Sequence, residues 1–204
     1  MTWAQAAAVP LENELVRLRP VSEADRAGLH EIAMDPAIWR YFVSLIETDT
    51  DFELFFDTML ADHSAGHRVV FVIVDKATGR IAGSSSFGNL SGKDLRLEIG
   101  WSWLGTAFQG TGINRHAKLA LLGHAFDTLL AERVEFKTDK LNAQARRGLL
   151  KIGAVEEGTL RSFNPMPGGR RRDAVYYSII RAEWPMVRAL LSAADAAPGG
   201  GGPG

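Results

Sequence analysis

Between Leu95 and Leu129 the chain changes its residue period twice within thirty-odd positions. LRLEIGWSWL (95–104) alternates, with Leu95, Leu97, Ile99, Trp101 and Trp103 on one side of a strand and Arg96, Glu98, Gly100 and Ser102 on the other. GTAFQGTGIN (105–114) follows as a glycine-rich turn. Ile113, Ala117, Ala120, Leu121, Ala125 and Leu129 then recur at helical spacing, with Leu122 and Phe126 widening the stripe. A helix that apolar needs a sheet to pack against. The junction therefore commits the chain to a mixed fold in which a strand delivers a helix N-terminus through a glycine turn.

The remaining segments fit that frame. LVRLRPV (15–21) reads as a strand, and Ser22 with Glu23 and Asp25 starts a helix that runs to about Met34. Asp35-Pro36 breaks it before a short aromatic segment, Ile38, Trp39, Tyr41 and Phe42. Phe52, Phe55, Phe56, Met59 and Leu60 predict a helix over 51–63, and RVVFVIVDKATGRIAGSSSFG (68–88) predicts a hairpin. VEFKTD reads as a strand and NAQARRGLLKIGA as a helix closed by Gly153. Strands near 155–161 and over AVYYSIIR, then a helix over 183–191, complete the pattern. Strands first, then alternating strand and helix without internal repeat, predict one α/β (α+β) domain over residues 1–192. The stretch 193–204, AADAAPGGGGPG, is expected to be a disordered Gly/Pro/Ala-rich tail.

Several functional classes fall away. The chain has no cysteine, which removes disulfides, thiolate metal sites and cysteine nucleophiles. No apolar run approaches the ~18 residues that cross a bilayer, and MTWAQAAAVP lacks the basic and apolar regions of a secretory signal. A cytoplasmic protein without a membrane partner is the expectation. A net charge of −1 argues against a DNA-binding role. That balance hides a segregation: residues 1–104 carry nine Lys/Arg against fifteen Asp/Glu, whereas 105–172 carry twelve against six. Two ligands of opposite sign would suit such a chain.

In FQGTGIN, Gly110 and Gly112 let backbone N–H groups approach an anion, and the following helix start adds a partial positive charge. This is a diphosphate cradle or, equally on the glycines alone, an ordinary strand-to-helix turn. No Gly-Lys-Ser/Thr follows, so the triphosphate pattern is absent, and Arg115 stands where a dinucleotide fingerprint has its third glycine.

The run from LEIGWSWL through FQGTGINRHAKLALLGHAF to VEFKTDKLNAQARRGLLKIGAVEEG resembles the GNAT superfamily of acyl-CoA-dependent N-acyltransferases, and within it the RimJ/RimL-type branch. LRLRPVSEADRAGLHEIAMDPAIWRYF and GGRRRDAVYYSIIRAEW extend the resemblance over about residues 13–190. It implies a central mixed, mostly antiparallel twisted sheet of about six or seven strands, flanked by helices. The fourth strand (95–104) and the fifth (133–138) would splay apart. Acetyl-CoA would lie in that opening, its arm against Trp103 and Leu104 and its pyrophosphate on the loop Gln109, Gly110, Thr111, Gly112, Ile113 and Asn114. Asn114 departs from the family pattern at the last loop position. Asn142 matches an asparagine that contacts the cofactor arm, and Arg147, with Arg146 and Lys151, would meet the adenosine phosphate. The serine that usually follows three residues after that asparagine is Ala145 here.

The resemblance further implies Glu98 as general base, with pairing to Arg96 or Arg133 as the structural alternative. A backbone N–H near Leu104 would be the oxyanion donor and Tyr177 the proton donor. Trp39, Tyr41 and Phe42 would form the acceptor wall or belong to the core. The expected activity is direct transfer of an acetyl group to a primary amine, on a small molecule or a protein N-terminus. A CoA-binding or ribosome-associated module without turnover is the alternative that Ala145 and Asn114 favour, and a homodimer is left open. No metal is expected. His63 and His67 have metal-pair spacing but no third ligand, His116 and His124 read as core or boundary residues, and Arg170–Arg172 read as a solvated turn.

Overall fold

A computed structural model describes residues 2–193. Thr2 and Gln5 form a capping box that starts α1 (Trp3–Ala7), an element the composition of this segment did not predict. There follow β1 (Leu11–Glu12), β2 (Val16–Pro20), α2 (Arg26–Ala33), α3 (Pro36–Trp39), α4 (Asp49–Ser64), β3 (Val69–Asp75), β4 (Ile81–Ser91) and β5 (Arg96–Leu104). The second half contains α5 (Ile113–Gly123), β6 (Arg133–Asp139), α6 (Ala143–Lys151), β7 (Val155–Pro165), β8 (Arg171–Ile180) and α7 (Trp184–Ala193). The tail read from Ala193 onward lies outside the described residues except for Ala193, which ends α7.

Local chemistry sets the boundaries. Asp35 accepts from Ala37 N and Pro36 opens α3, so the Asp-Pro break restarts a short helix. Thr48 and Asp51 cap α4 reciprocally, so the helix starts at Asp49, two residues before the expected start at 51. Gly153, at φ +87°, closes α6. Beyond Gly123 a π turn over His124–Thr128 carries the long helix to Leu129.

The strands form one sheet in the order β1-β2-β3-β4-β5-β6-β8-β7. It has eight strands because the two-residue β1 precedes the seven expected; the predicted fourth and fifth strands are therefore β5 and β6. Every neighbouring pair is antiparallel except β5 with β6. On one face Leu18, Phe71, Phe87, Leu97, Val134 and Phe136 pack with Ile113, Ala117, Leu121 and Leu122 of α5, and α7 adds Val187 and Leu191. On the other face Val70, Val72 and Trp103 pack with Leu29, Trp39, Phe52, Phe56 and Met59 from α2, α3 and α4. Each buried Val, Leu, Ile, Phe or Met among them contributes about 1.5–3 kcal/mol of transfer free energy.

Two irregularities in β5 shape the centre. First, β4 pairs Ser84 with Trp103 but Ser86 with Gly100, so Ser85 opposes two residues, and Trp101 takes φ +48°. This β-bulge reverses the alternation. Leu97 and Ile99 face α5, but Trp101 and Trp103 face the α2–α4 side, together with Glu98. The single apolar face expected for Leu95–Trp103 is thus split, because one inserted residue moves every later side chain to the opposite face. Second, β5 and β6 pair only through Arg96↔Arg133, Leu97↔Val134 and Glu98↔Glu135. Beyond these three the strands part, and the sheet opens as a V.

Candidate active site

The mouth of the V meets the glycine turn. Gly110 and Gly112 adopt φ +76° and +87°, values costly for residues with a side chain. Gly112 is the N-cap of α5 and no side chain caps that helix. The first-turn amides of α5 therefore point outward without intrahelical partners. Thr111 donates its hydroxyl to Phe108 O at 2.6 Å, and Gln109 Nε2 donates to Leu104 O at 3.2 Å, which ties the turn to the end of β5. The second bond reports strand orientation. Gly105 N donates to Ala82 O on β4. Backbone groups alternate sides along a strand, so Leu104 turns its own N–H and C=O away from β4, toward the opening. By the same alternation the main chain of Trp103 faces β4. What Trp103 offers is a buried indole N–H with no partner among the described residues.

Asn142 caps α6 by accepting from Ala145 N at 2.9 Å, which leaves its amide nitrogen as a donor. Arg147 is exposed on the same helix. Arg146 is engaged elsewhere, donating to Tyr177 Oη at 3.1 Å and to Glu156 at 3.2 Å.

Glu98 sits at the root of the V, only 4% exposed. It pairs neither with Arg96 nor with Arg133. Asn89 Nδ2 donates to its Oε2 at 2.8 Å, and Lys137 Nζ, one turn of the pleat along β6, lies 3.3 Å from the same oxygen. Arg96 and Arg133 both turn to Glu135 instead. Beside Glu98, the Arg68 guanidinium stacks 4.3 Å over the Trp101 ring and donates to Ser86 Oγ. Burial pushes the Arg68 pKa down, against the opposing pull of Glu98 and Asp62. Tyr176, not Tyr177, shares this face: Lys137 Nζ lies 5.7 Å from its ring centroid.

Tyr177 lies on the opposite face, in the core against α5 and α6. Its hydroxyl donates to Glu156 Oε2 at 2.7 Å while accepting from Arg146, and burial pushes its pKa up. The structure does not bring Tyr177 to Glu98, because consecutive strand residues point to opposite faces. Trp39 is likewise a core residue, 1% exposed, with its indole N–H on Ala33 O and its ring against Phe42, Phe55 and Trp103. Phe42 packs on it half-buried, and Tyr41 lies beneath the Arg40 guanidinium. None of these three lines the adjoining cavity of about 270 Å³, whose walls are Ser44, Leu45, Asp51, Leu54, Phe55, Thr58 and Trp101. Trp101, stacked under Arg68, joins that cavity to the surroundings of Glu98.

The sequence reading did not single out Arg68, Trp101, Lys137 or the cavity walls. The bulge that brings Trp101 across leaves no mark in an alternating pattern. A solvated strand cation in VEFKTD is the ordinary reading of Lys137.

The arrangement is a glycine turn and an uncapped helix start at the mouth of a split sheet, with a buried carboxylate at its root. A model of the acetyltransferase (GNAT) domain matches residues 16–155, a span that holds the glycine turn, the split and Glu98 together. The chain belongs to the GNAT acetyltransferase family. The crystal structure of a candidate acetyltransferase from T. thermophilus superposes with a TM-score of 0.83 at 34% identity, covering 91% of this chain and 96% of that one. Mycobacterium smegmatis RimJ, solved in complex with CoA-disulfide, gives 0.75 at 26% identity over 91% and 93%. YdaF of Bacillus subtilis, a candidate ribosomal N-acetyltransferase, is 34% identical over 106 residues, which are 52% of this chain and 57% of YdaF. These relatives put this GNAT acetyltransferase with the RimJ/RimL-type branch. No helix among the described residues is long and apolar enough to cross a membrane.

Proposed function

We propose that this GNAT enzyme transfers the acetyl group of acetyl-CoA directly to a primary amine, with Glu98 as general base. The observation that carries the reading is the parting of β5 and β6 immediately after Glu98↔Glu135, below the uncapped start of α5. The donor fits the residues present. The N–H groups of Gly110 to Asn114 would take the pyrophosphate, Asn142 Nδ2 and the main chain of Leu104 would hold the arm, and Arg147 would meet the adenosine phosphate. Acetyl-CoA supplies the activated thioester carbonyl. Leu104 N–H, turned into the opening, is the donor for the carbonyl oxygen as it gains charge. Glu98, directly or through water, takes the proton that the amine must lose.

The acceptor enters from the α2–α4 face, where the 270 Å³ cavity adjoins Trp101. Asp51 contributes a carboxylate there whose pKa is lowered, chiefly by the Thr48 hydroxyl, so it is an anion when a cationic amine arrives. A volume this small favours an amine on a small group, such as the first residue of a protein. The ribosomal designation of YdaF supports a protein N-terminus over a free metabolite. The reaction belongs in the cytoplasm, where acetyl-CoA and nascent N-termini meet.

Acetyl-CoA should raise the melting temperature of the protein. Thiol release should then follow the addition of short peptides with small N-terminal residues, more than of polyamines or amino acids. A thermal shift with no thiol release from any amine would leave a CoA-binding module without turnover. No shift at all would overturn the acetyl-CoA reading itself.

A further inference from the structure

The departing thiolate needs a proton, and neither position expected to supply it holds an uncommitted one. Position 145 is alanine, and the Tyr177 hydroxyl is committed to Glu156 and Arg146 on the α6 side. A different proton-bearing group spans the opening. Lys118, from the middle of α5, is only 6% exposed. Its Nζ donates to Ser102 Oγ on β5 at 2.6 Å and lies 5.8 Å from the ring centroid of Phe136 on β6. Ser102 and Phe136 are the α5-facing residues of the two strands just where their backbones separate. Ser102 Oγ is within 2.7 Å of Ser85 Oγ, so the lysine ends a short chain of hydroxyls.

Nothing structural accounts for an ammonium in this position. Among the described residues Ser102 is its one hydrogen-bond acceptor, and no carboxylate pairs with it. The groups facing it are Ser85 from β4, Ser102 from β5 and Phe136 from β6, none of them charged. An ammonium carries three N–H donors, and burying it with a single acceptor and no counter-charge costs several kcal/mol. Burial without compensation lowers its pKa to about 7. A methionine would fill the same volume without that cost. A buried ammonium with one hydroxyl acceptor and no counter-charge, set at the opening between two strands, is what a functional group looks like.

We infer that Lys118, acting directly or through the Ser102 hydroxyl, is the acid that protonates the leaving thiolate. The inference rests on the acetyl-CoA reading of the V. The acceptor nitrogen forms its bond to the thioester carbonyl carbon, and the carbon–sulfur bond breaks with its electron pair on sulfur. One proton leaves the nitrogen for Glu98 on the α2–α4 face. Another passes from Lys118 Nζ to sulfur on the α5 face, giving the CoA thiol and a neutral lysine amine. Solvent then takes the proton from Glu98 and restores the one on Lys118. Acid and base stand on opposite faces of the sheet, joined only through the opening, so neither quenches the other. A lysine that is half-protonated near neutrality is matched to a thiol, whose ordinary pKa is about 8.5.

The test uses the full chain with its lysines labelled with 15N. In the wild-type protein the side-chain signal assigned by its loss in Lys118→Met should titrate near neutral pH and shift on addition of CoA. In Lys118→Met, CoA affinity by calorimetry should be unchanged while turnover, read as thiol release with the best peptide acceptor, falls about 10²-fold or more. Lys118→Arg keeps the charge but gives up no proton at these pH values. It should be equally slow, and it should lack the fall in rate above pH 7 that loss of the Lys118 proton is expected to give the wild type. A Lys118 signal that stays charged through pH 9 and ignores CoA would overturn the inference, as would full turnover in either variant. Should Lys118→Met fail to fold, Lys118→Arg serves for the assignment and the rest of the test stands. Failure of the wild type to bind CoA is a separate result, which removes the acetyl-CoA reading rather than the role of Lys118 within it.

Discussion

Glu98 illustrates what a single residue can and cannot disclose. Its position in the strand, opposite Leu97 and Ile99, is legible from alternation, and the family resemblance attaches a role to it. Its neighbours are not legible. Asn89 arrives from the end of β4, Lys137 from β6 and Arg68 from the turn after α4, and only the register of the sheet brings them together. Glu98→Gln keeps an oxygen for Asn89 or Lys137 but cannot take a proton. Turnover should fall about 10²-fold while the CoA dissociation constant by calorimetry stays put; unaltered turnover would remove Glu98 from the mechanism. Lys118 shows the converse. Its i+3 and i+4 neighbours, Leu121 and Leu122, are fully buried, so a cation on the apolar stripe of the helix was written in the sequence for anyone who extended the wheel one position. Charge counts disclose less. Arg133, Arg146 and Arg170 pair with Glu157, Glu156 and Asp139 of the same segment, so the count of twelve against six does not tell which of its cations are left to face a ligand.

At the level of elements, boundaries were readable wherever a cap or glycine marks them. The Asp35-Pro36 break, the Gly112 start of α5 and the Gly153 stop of α6 all follow from local chemistry. The bulge at Trp101 was not, because a bulge is a property of pairing between two strands and neither strand records it alone. Its partner strand does contain a fixed point. A Cβ on Gly83 would stand 2.1 Å from Trp103 O and 2.8 Å from Leu104 Cα, both main-chain atoms that cannot step aside. Gly83→Ala should therefore force β4 and β5 apart at the bulge. We expect a loss of about 2–4 kcal/mol in urea unfolding, together with weakened CoA binding because Leu104 moves. A variant within about 0.5 kcal/mol of wild type would show that the pairing at this point is loose.

For the molecule as a whole, the lysine in α5 has a thermodynamic signature separate from catalysis. Its pKa is about 7 in the folded chain, against about 10.4 for an ordinary lysine. Between those values the unfolded chain binds the extra proton, so this residue makes stability rise with pH from about 7 to about 10, and its burial penalty is complete below pH 7. Lys118→Met should be more stable than wild type at pH 6, by an amount on the order of a few kcal/mol, and the gap should close as pH rises toward 10. Denaturant midpoints across that range would check it. A variant that is less stable at pH 6 would mean that the ammonium is stabilised in ways its contacts do not explain. Gaining stability while losing turnover is the expected trade for a residue retained for function.

The V also has a consequence for how the chain assembles. Strands β1 to β5 pair in the order in which they occur, each closing on the one before, and β7 and β8 do the same at the far edge. Local closures of this kind cost little chain entropy. The three residue pairs between β5 and β6 differ, because a whole helix must be threaded and packed before Leu97 can meet Val134. The two ends of the sheet should therefore organise first, and the seam should be among the last contacts to form. Val134→Ala, in that seam, should then speed unfolding and leave the folding rate nearly unchanged in a chevron experiment. The gap proposed to admit the acetyl-CoA arm would then be among the last parts of the backbone to be joined.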